Sequence, residues 1–344
     1  MFVSSSLSSA PRAATARPAY AHASAAAGAG WFKDEEAIMG TAITVELWAD
    51  AAAQGRAAID AVMAEMHRID AAMSPHKSDS ELSRINHDAA RRGVPLSDEM
   101  FALIERALAY SALSEGAFDI SYASVGQLYD YRRGVLPSAE ALARARRAVG
   151  WRGLRLDRQA RTLAFARPGM RIDLGGFAKG HAVDNAVTIL RQHGIAHAFV
   201  SAGGDSRVLG DRRGRPWSLG VRHPRQADAL VAVLPLVDTA VSTSGDYERY
   251  FERGGVRHHH IIDPASGRSP AAVQSVTILA PDGLSAEALS KTLFVLGVER
   301  GMTLIESQPG IDAIVVDALG QLHYSTGLQD HRPQVRHQVT VIDR

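Results

Sequence analysis

Hydrophobic and polar positions along this chain fall into two alternating rhythms from Met39 onward. Period-two stretches read as strands: GTAITVELWA, the strand–turn–strand HAFVSAGGDSRVLG, then WSLGVRHP, ALVAVLPLV, TAVSTSG and SVTILAP, with IDAIVVDA and QLHYSTG as a terminal hairpin. Between them, apolar residues recur every three or four positions. Ala51 to Met73 places Ile59, Val62, Met63, Met66 and Ile69 on one helical face. A second helix starts at Leu96 with Ser97 as N-cap, carries Phe101, Ile104, Leu108 and Leu113, and ends at Gly116. A third, beginning near Lys179, buries Ala182, Val183, Ala186, Val187, Ile189 and Leu190 and has Gly194 where a C-cap belongs. A fourth covers about Ser285 to Leu296. Leu154 to Phe165 suggests a hairpin, Arg171 to Leu174 reads as a strand feeding the third helix, and AFDISYASVGQLYDY has no clean period. Because hairpin-like pairs dominate, the expected fold is α+β, with mixed or antiparallel sheets flanked by helices.

No short repeat, heptad pattern or long linker interrupts the chain after Gly30, so residues 31–344 are expected to form a single domain. Residues 1–30 differ. They are rich in Ala and Ser, carry Arg12 and Arg17, hold no acid and include Ala21-His22-Ala23, as an export leader does, but lack its continuous apolar middle. A degraded leader and a disordered tail both fit. The formal net charge of +1 gives no general attraction to nucleic acid or anionic membrane, so any anion binding is local. With no cysteine, thiolate metal sites and cysteine nucleophiles are excluded. No apolar run is long enough for a spanning helix.

Candidate chemistry gathers in three places. In RIDLGGFAKGHAVDNAVTIL an acid, two glycines and Lys179 precede a helix, which outlines an anion site: close backbone approach, exposed N–H groups, a favourable helix dipole and a mobile cation. A phosphate or diphosphate is the natural guest, and a plain strand-to-helix connection is the alternative. Residues 242–270, STSGDYERYFERGGVRHHHIIDPASGRSP, crowd hydroxyls, acids, aromatics and three histidines. On a strand His258 and His260 share one side and His259 takes the other, where an inward histidine is commonly a satisfied core residue. Asp263-Pro264 with Gly267 reads as a turn that Asp263 caps. The third place is Ala117-Phe118-Asp119, either a site or a core Phe beside a capping Asp.

Taken in order, MGTAITVELWA, SPHKSDSELSRIN, GAFDIS, RIDLGGFAKGHAVD, VSAGGD, STSGDYERYF, HHIIDPASG and EALSKTLFVLG make the chain resemble the ApbE-type FAD:protein FMN transferases over about Met39 to Gly297. The resemblance implies that FAD is cleaved at its diphosphate, that FMN joins a Thr or Ser of a partner flavoprotein through a phosphoester, that AMP leaves, and that magnesium (Mg2+) assists. It implies FAD contacts from Met39, the position of His76, Ala117, Phe118, Asp119, Asp173 and Lys179. It also implies a metal held by the backbone oxygen at Gly176 and by oxygen side chains of the helix containing Glu287. Lys179 and His260 are the expected catalytic residues, His260 as base or hydroxyl-orienting group because imidazole titrates close to working pH.

Two positions depart from the family pattern. His76 stands where an aromatic ring usually stacks, and Glu287 and Lys291 stand where Asp and Thr four apart usually ligate the metal. An ammonium cannot ligate, which leaves three options: Thr292 substitutes, Glu287 serves alone, or Lys291 supplies part of the metal's charge. Two other functions use the same residues, an FAD pyrophosphatase with water as acceptor and an FAD-binding protein with impaired catalysis. Acceptors of the family mostly face outside the cytoplasm, so the periplasm is favoured over the cytoplasm.

Overall fold

Alternation is carried through in Thr41–Ala49, where Ile43, Val45, Leu47 and Ala49 are buried and their neighbours are not. This strand sits in an eight-stranded sheet. In spatial order its members are Gly30–Ile38, Thr41–Ala49, Ala198–Ala202, Asp205–Leu209, Ala240–Gly245, Val273–Ala280, Asp312–Asp317 and Leu322–Tyr324, and every neighbouring pair is antiparallel. The structure, a computed structural model, describes residues 28–329. The Ala21-His22-Ala23 string lies outside the described residues.

Helices Ala52–Met73, Ala178–Gln192 and Gly283–Leu296 cover one face of the sheet and supply most of the core. The other face packs Val208, Val241, Ile314 and Val316 against the hairpin of Trp217–Arg222 and Leu230–Leu236. Fold class is thus as the sequence pattern suggests.

Two local outcomes differ from expectation. Gly30–Ile38 is an edge strand that the pattern does not announce, since Lys33 to Ala37 are all exposed and no alternation survives. Met39-Gly40 joins it to the next strand as a two-residue turn with both residues at positive φ, 53° and 71°. Arg171 to Leu174 is no strand. Its buried apolar residues mimic one, but its backbone pairs with two helix side chains and a 3-10 turn: Ile172 N–H donates to Asn86 Oδ1 at 2.8 Å, Arg171 N–H to Ser124 Oγ at 3.0 Å, and Asp173 N–H to the Ile120 carbonyl at 3.0 Å. Helices Glu81–Asp88, Ala139–Arg146 and Val298–Glu306 also arise from stretches that the pattern leaves unassigned.

The helices bearing Lys179 and Glu287 cross with their backbones in contact. A Cβ on Gly180 would meet the Gly283 oxygen at 2.2 Å, and one on Gly283 would meet the Gly180 oxygen at 2.6 Å. One turn further, Asp184 accepts from Gly283 N–H at 2.7 Å and Leu284 N–H at 3.1 Å, placing a carboxylate at the second helix's N-terminus. Arg207 pairs with that carboxylate from the sheet.

Gly180→Ala is therefore expected to lower stability by about 1–3 kcal/mol or more, because backbone cannot yield as a side chain would. Gly30→Ala, with nothing within 4 Å of its Cβ, stays within about 0.5 kcal/mol. Thermal or denaturant unfolding of the two variants checks the contrast.

Candidate active site

At the end of the sheet where these helices begin, a cavity of about 450 Å³ opens. Ala117, Phe118 and Asp119 form one wall, Asp173, Gly175, Gly176 and Lys179 another, and the Gly203-Gly204-Asp205 turn, Thr243 to Gly245 and His260 close it. Gly203 at φ 67° and Gly204 are required there. A Cβ would meet Thr41 Oγ1 at 2.6 Å in the first case and the Thr243 carbonyl at 2.7 Å in the second.

The floor is an ion cluster. Lys179 Nζ bridges Asp205 Oδ2 at 2.8 Å and Glu287 Oε1, and Lys291 Nζ lies 3.7 Å from the same Glu287 oxygen. Glu287 Oε2 accepts from Gly180 N–H at 2.8 Å, and Asp205 Oδ1 accepts from the Ser242 hydroxyl at 2.5 Å. Ser290 links Ser242, Ser244 and the Glu287 carbonyl beneath them. Glu287 is wholly buried, and burial together with the Asp205 charge pushes its carboxyl up. Lys179 holds Asp205 down against burial. Burial pulls Lys291 down, opposed by Glu287 and Asp205.

The helix N-terminus is accordingly not the open anion cradle that RIDLGGFAKG suggests. Gly175 N–H donates to Asp173, Phe177 and Ala178 N–H to the Leu174 carbonyl, and Gly180 N–H to Glu287, so an internal carboxylate sits where a diphosphate was expected. Cations that face the cavity from elsewhere are Arg222 and Arg249, and neither has an ion-pair partner among the described residues.

Of the residues singled out from sequence, Ala117, Phe118, Asp119, Asp173, Gly176, Lys179 and His260 line the cavity. Met39, His76, Glu287 and Thr292 do not. Met39 packs on the core beside the cavity-lining Thr41, while His76 lies near enough to Asp173 for its charge to act on that carboxylate. Thr292 is buried and its hydroxyl donates to the Ala288 carbonyl at 2.9 Å, one turn back. Phe118 packs against Tyr110 and Phe177, and Asp119 accepts from Ser121 N–H at 2.8 Å and Trp151 N–H at 2.7 Å, so both line the cavity while holding the loop.

The histidines separate cleanly. His259 is the core residue, with Nε2 at 2.9 Å from the Pro270 carbonyl and its ring edge-on to Phe294, although its Nδ1 is buried without a partner among the described residues. His258 stacks on Phe251. His260 lies just past the strand Val256–His259, with its Nδ1 buried and without a partner among the described residues. Burial, then the Lys291 and Arg249 charges, push it down to about 3, so it is neutral at working pH and does not titrate there as free imidazole does. Asp263 caps its turn, accepting from Ala265 and Ser266 N–H.

The implied magnesium set does not fit this geometry. Among the described residues no group of three or more His, Asp or Glu is placed to hold a metal ion, Glu287 at the expected position is paired with two ammonium groups, and the Thr292 hydroxyl is turned to the Ala288 carbonyl.

The ApbE family model matches residues 39–315. This chain belongs to the ApbE family. An FAD:protein FMN transferase of Treponema pallidum (strain Nichols) is 33% identical over 314 residues, 86% of this chain and 87% of that protein. One from Klebsiella pneumoniae (strain 342) is 33% identical over 284 residues, 81% of this chain and 87% of that protein. Crystallised ApbE from Thermotoga maritima superposes with a TM-score of 0.81 at 32% identity, over 87% of this chain and 98% of that one. The flavin transferase ApbE of Vibrio cholerae gives 0.79 at 28%, over 88% and 99%.

Relative to this ApbE site, sequence reasoning passed over Asp205, Arg222 and Arg249. Asp205 had a signal, the acid after paired glycines in VSAGGD, parallel to the DLGG that was noticed. Arg249 lay inside the quoted STSGDYERYF, whereas Arg222 had no signal, because only the fold brings its strand to the cavity.

Between the free-histidine range and about pH 3 the unfolded chain binds a proton at His260 that the native chain refuses. The stability that neutral His260 contributes is therefore complete above the unfolded value and is lost as pH falls toward the native one. Denaturant unfolding from pH 7 to pH 4 is expected to show a steeper acid loss for wild type than for His260→Gln, the difference approaching one proton; equal slopes contradict it.

Proposed function

We propose that this ApbE-family chain is an FAD:protein FMN transferase that joins FMN to a Thr or Ser hydroxyl of an acceptor flavoprotein and releases AMP. Its family membership and the transferases that resemble it over most of their length support the reaction class. The observation that carries the reading is one cavity lined by Arg222 and Arg249, neither ion-paired among the described residues, and by the neutral imidazole of His260. Cations suit a diphosphate, and a neutral imidazole suits a hydroxyl.

In this reading the acceptor oxygen gives its proton to His260 and attacks the FMN phosphorus, while the bond from that phosphorus to the AMP phosphate oxygen breaks. Arg249 and Arg222 offset the charge on the diphosphate and on the departing AMP. A bound diphosphate also compensates the cations that depress His260, so the imidazole gains proton affinity when substrate is present. Ala117, Phe118 and Asp119 hold a wall against the flavin nucleotide, and Asp173 keeps the Gly175-Gly176 turn in place. Glu287, the acid expected to hold magnesium, is here paired with Lys179 and Lys291.

Incubation with FAD and a flavoprotein bearing a Thr acceptor is expected to give AMP and protein-linked flavin fluorescence in equal amounts. AMP without attached flavin identifies a pyrophosphatase, and FAD retention without AMP identifies a binding protein. His260→Ala is expected to slow transfer by about 10²–10⁴ with FAD affinity little changed. Arg249→Ala weakens FAD binding instead, and an undiminished affinity there contradicts the charge assignment.

A further inference from the structure

The disagreement between the family's metal and this chain's residues has a specific geometry. The stem of Lys291 runs against Gly176, where a Cβ would stand 3.6 Å from Lys291 Cγ and 3.8 Å from Cε. Its ammonium lies 3.7 Å from Glu287 Oε1. Lys291 thus spans the two positions, Gly176 and Glu287, from which the resemblance draws metal ligands, and it lines the cavity. Lys179 holds the other side of Glu287 and Asp205, so two carboxylates are balanced by two ammonium groups within one buried cluster. Magnesium requires near-octahedral oxygen coordination. Here an ion would have to displace one ammonium and lie beside another, with Gly180 N–H and the Ser242 hydroxyl already on the remaining carboxylate oxygens.

We infer that Lys291 takes the place of the divalent cation, so that this chain binds the diphosphate of FAD and transfers FMN without magnesium. The transfer half of this statement rests on the proposed function. The charge half rests on the cluster alone. An ammonium brings one positive charge and three donors to the cavity wall, and it stays there when no ligand is bound.

The test is calorimetric titration of magnesium chloride into the wild-type protein, with FAD affinity measured in EDTA and in magnesium. No saturable magnesium binding is expected, and FAD dissociation constants should agree within about twofold between the two buffers. Saturable magnesium binding by wild type, or FAD affinity that collapses in EDTA, overturns the inference. Lys291→Thr, which restores an oxygen at that position, is expected to gain magnesium binding and a magnesium-dependent FAD affinity. Should that variant fail to fold, Lys291→Met keeps the length without the charge: FAD affinity is expected to fall about tenfold with no rescue by magnesium, and an unchanged affinity overturns the inference. Transfer that persists in EDTA supports both readings. Transfer restored only by magnesium overturns the inference and leaves the proposed function standing, whereas transfer absent in either buffer contradicts the proposed function and leaves the titration to decide the inference.

Discussion

The interaction on which the rest of this molecule depends is the buried pairing of Lys179 with Glu287 and Asp205. A carboxylate with no exposure to water is tolerated only when a partner charge and hydrogen bonds replace its hydration. The three residues come from one helix, a second helix and a turn of the sheet, so satisfying the charges fixes all three elements together. The contact of Gly180 with Gly283 permits it, because any larger residue at the crossing would hold Glu287 away from Gly180 N–H. Loss of one member leaves an uncompensated charge in the core.

Much of this fold was legible in the sequence because its strands and helices bury one face each. Thr41–Ala49 and Asp98–Leu113 show it: alternation names the first, and Ser97, accepting from Met100 N–H at 3.2 Å, opens the second where expected. What escaped was whatever lacked that asymmetry. The edge strand from Gly30 is charged along its middle, and the extended run before Leu174 is apolar yet has no neighbouring strand, since Asn86 takes its backbone groups.

The site was legible as a set of positions more than as an arrangement. Family motifs located Lys179, Asp173, Asp119 and His260, and the fold draws all four to one cavity. Motifs alone carry no information on which charges neutralise one another. Glu287 fills the helix terminus that glycine spacing made look vacant, and burial, with the neighbouring cations second, sets the protonation of His260.

A final consequence follows from the turn at Met39. A residue with a side chain at φ 53° sacrifices about 1 kcal/mol relative to its favoured backbone region, and the flanking strands prefer Asn-Gly at such a bend. Asparagine at position 39 would relax the hairpin but strip away the thioether resting on the core at the rim. The chain retains the less comfortable residue, so local backbone ease yields there to what the methionine touches.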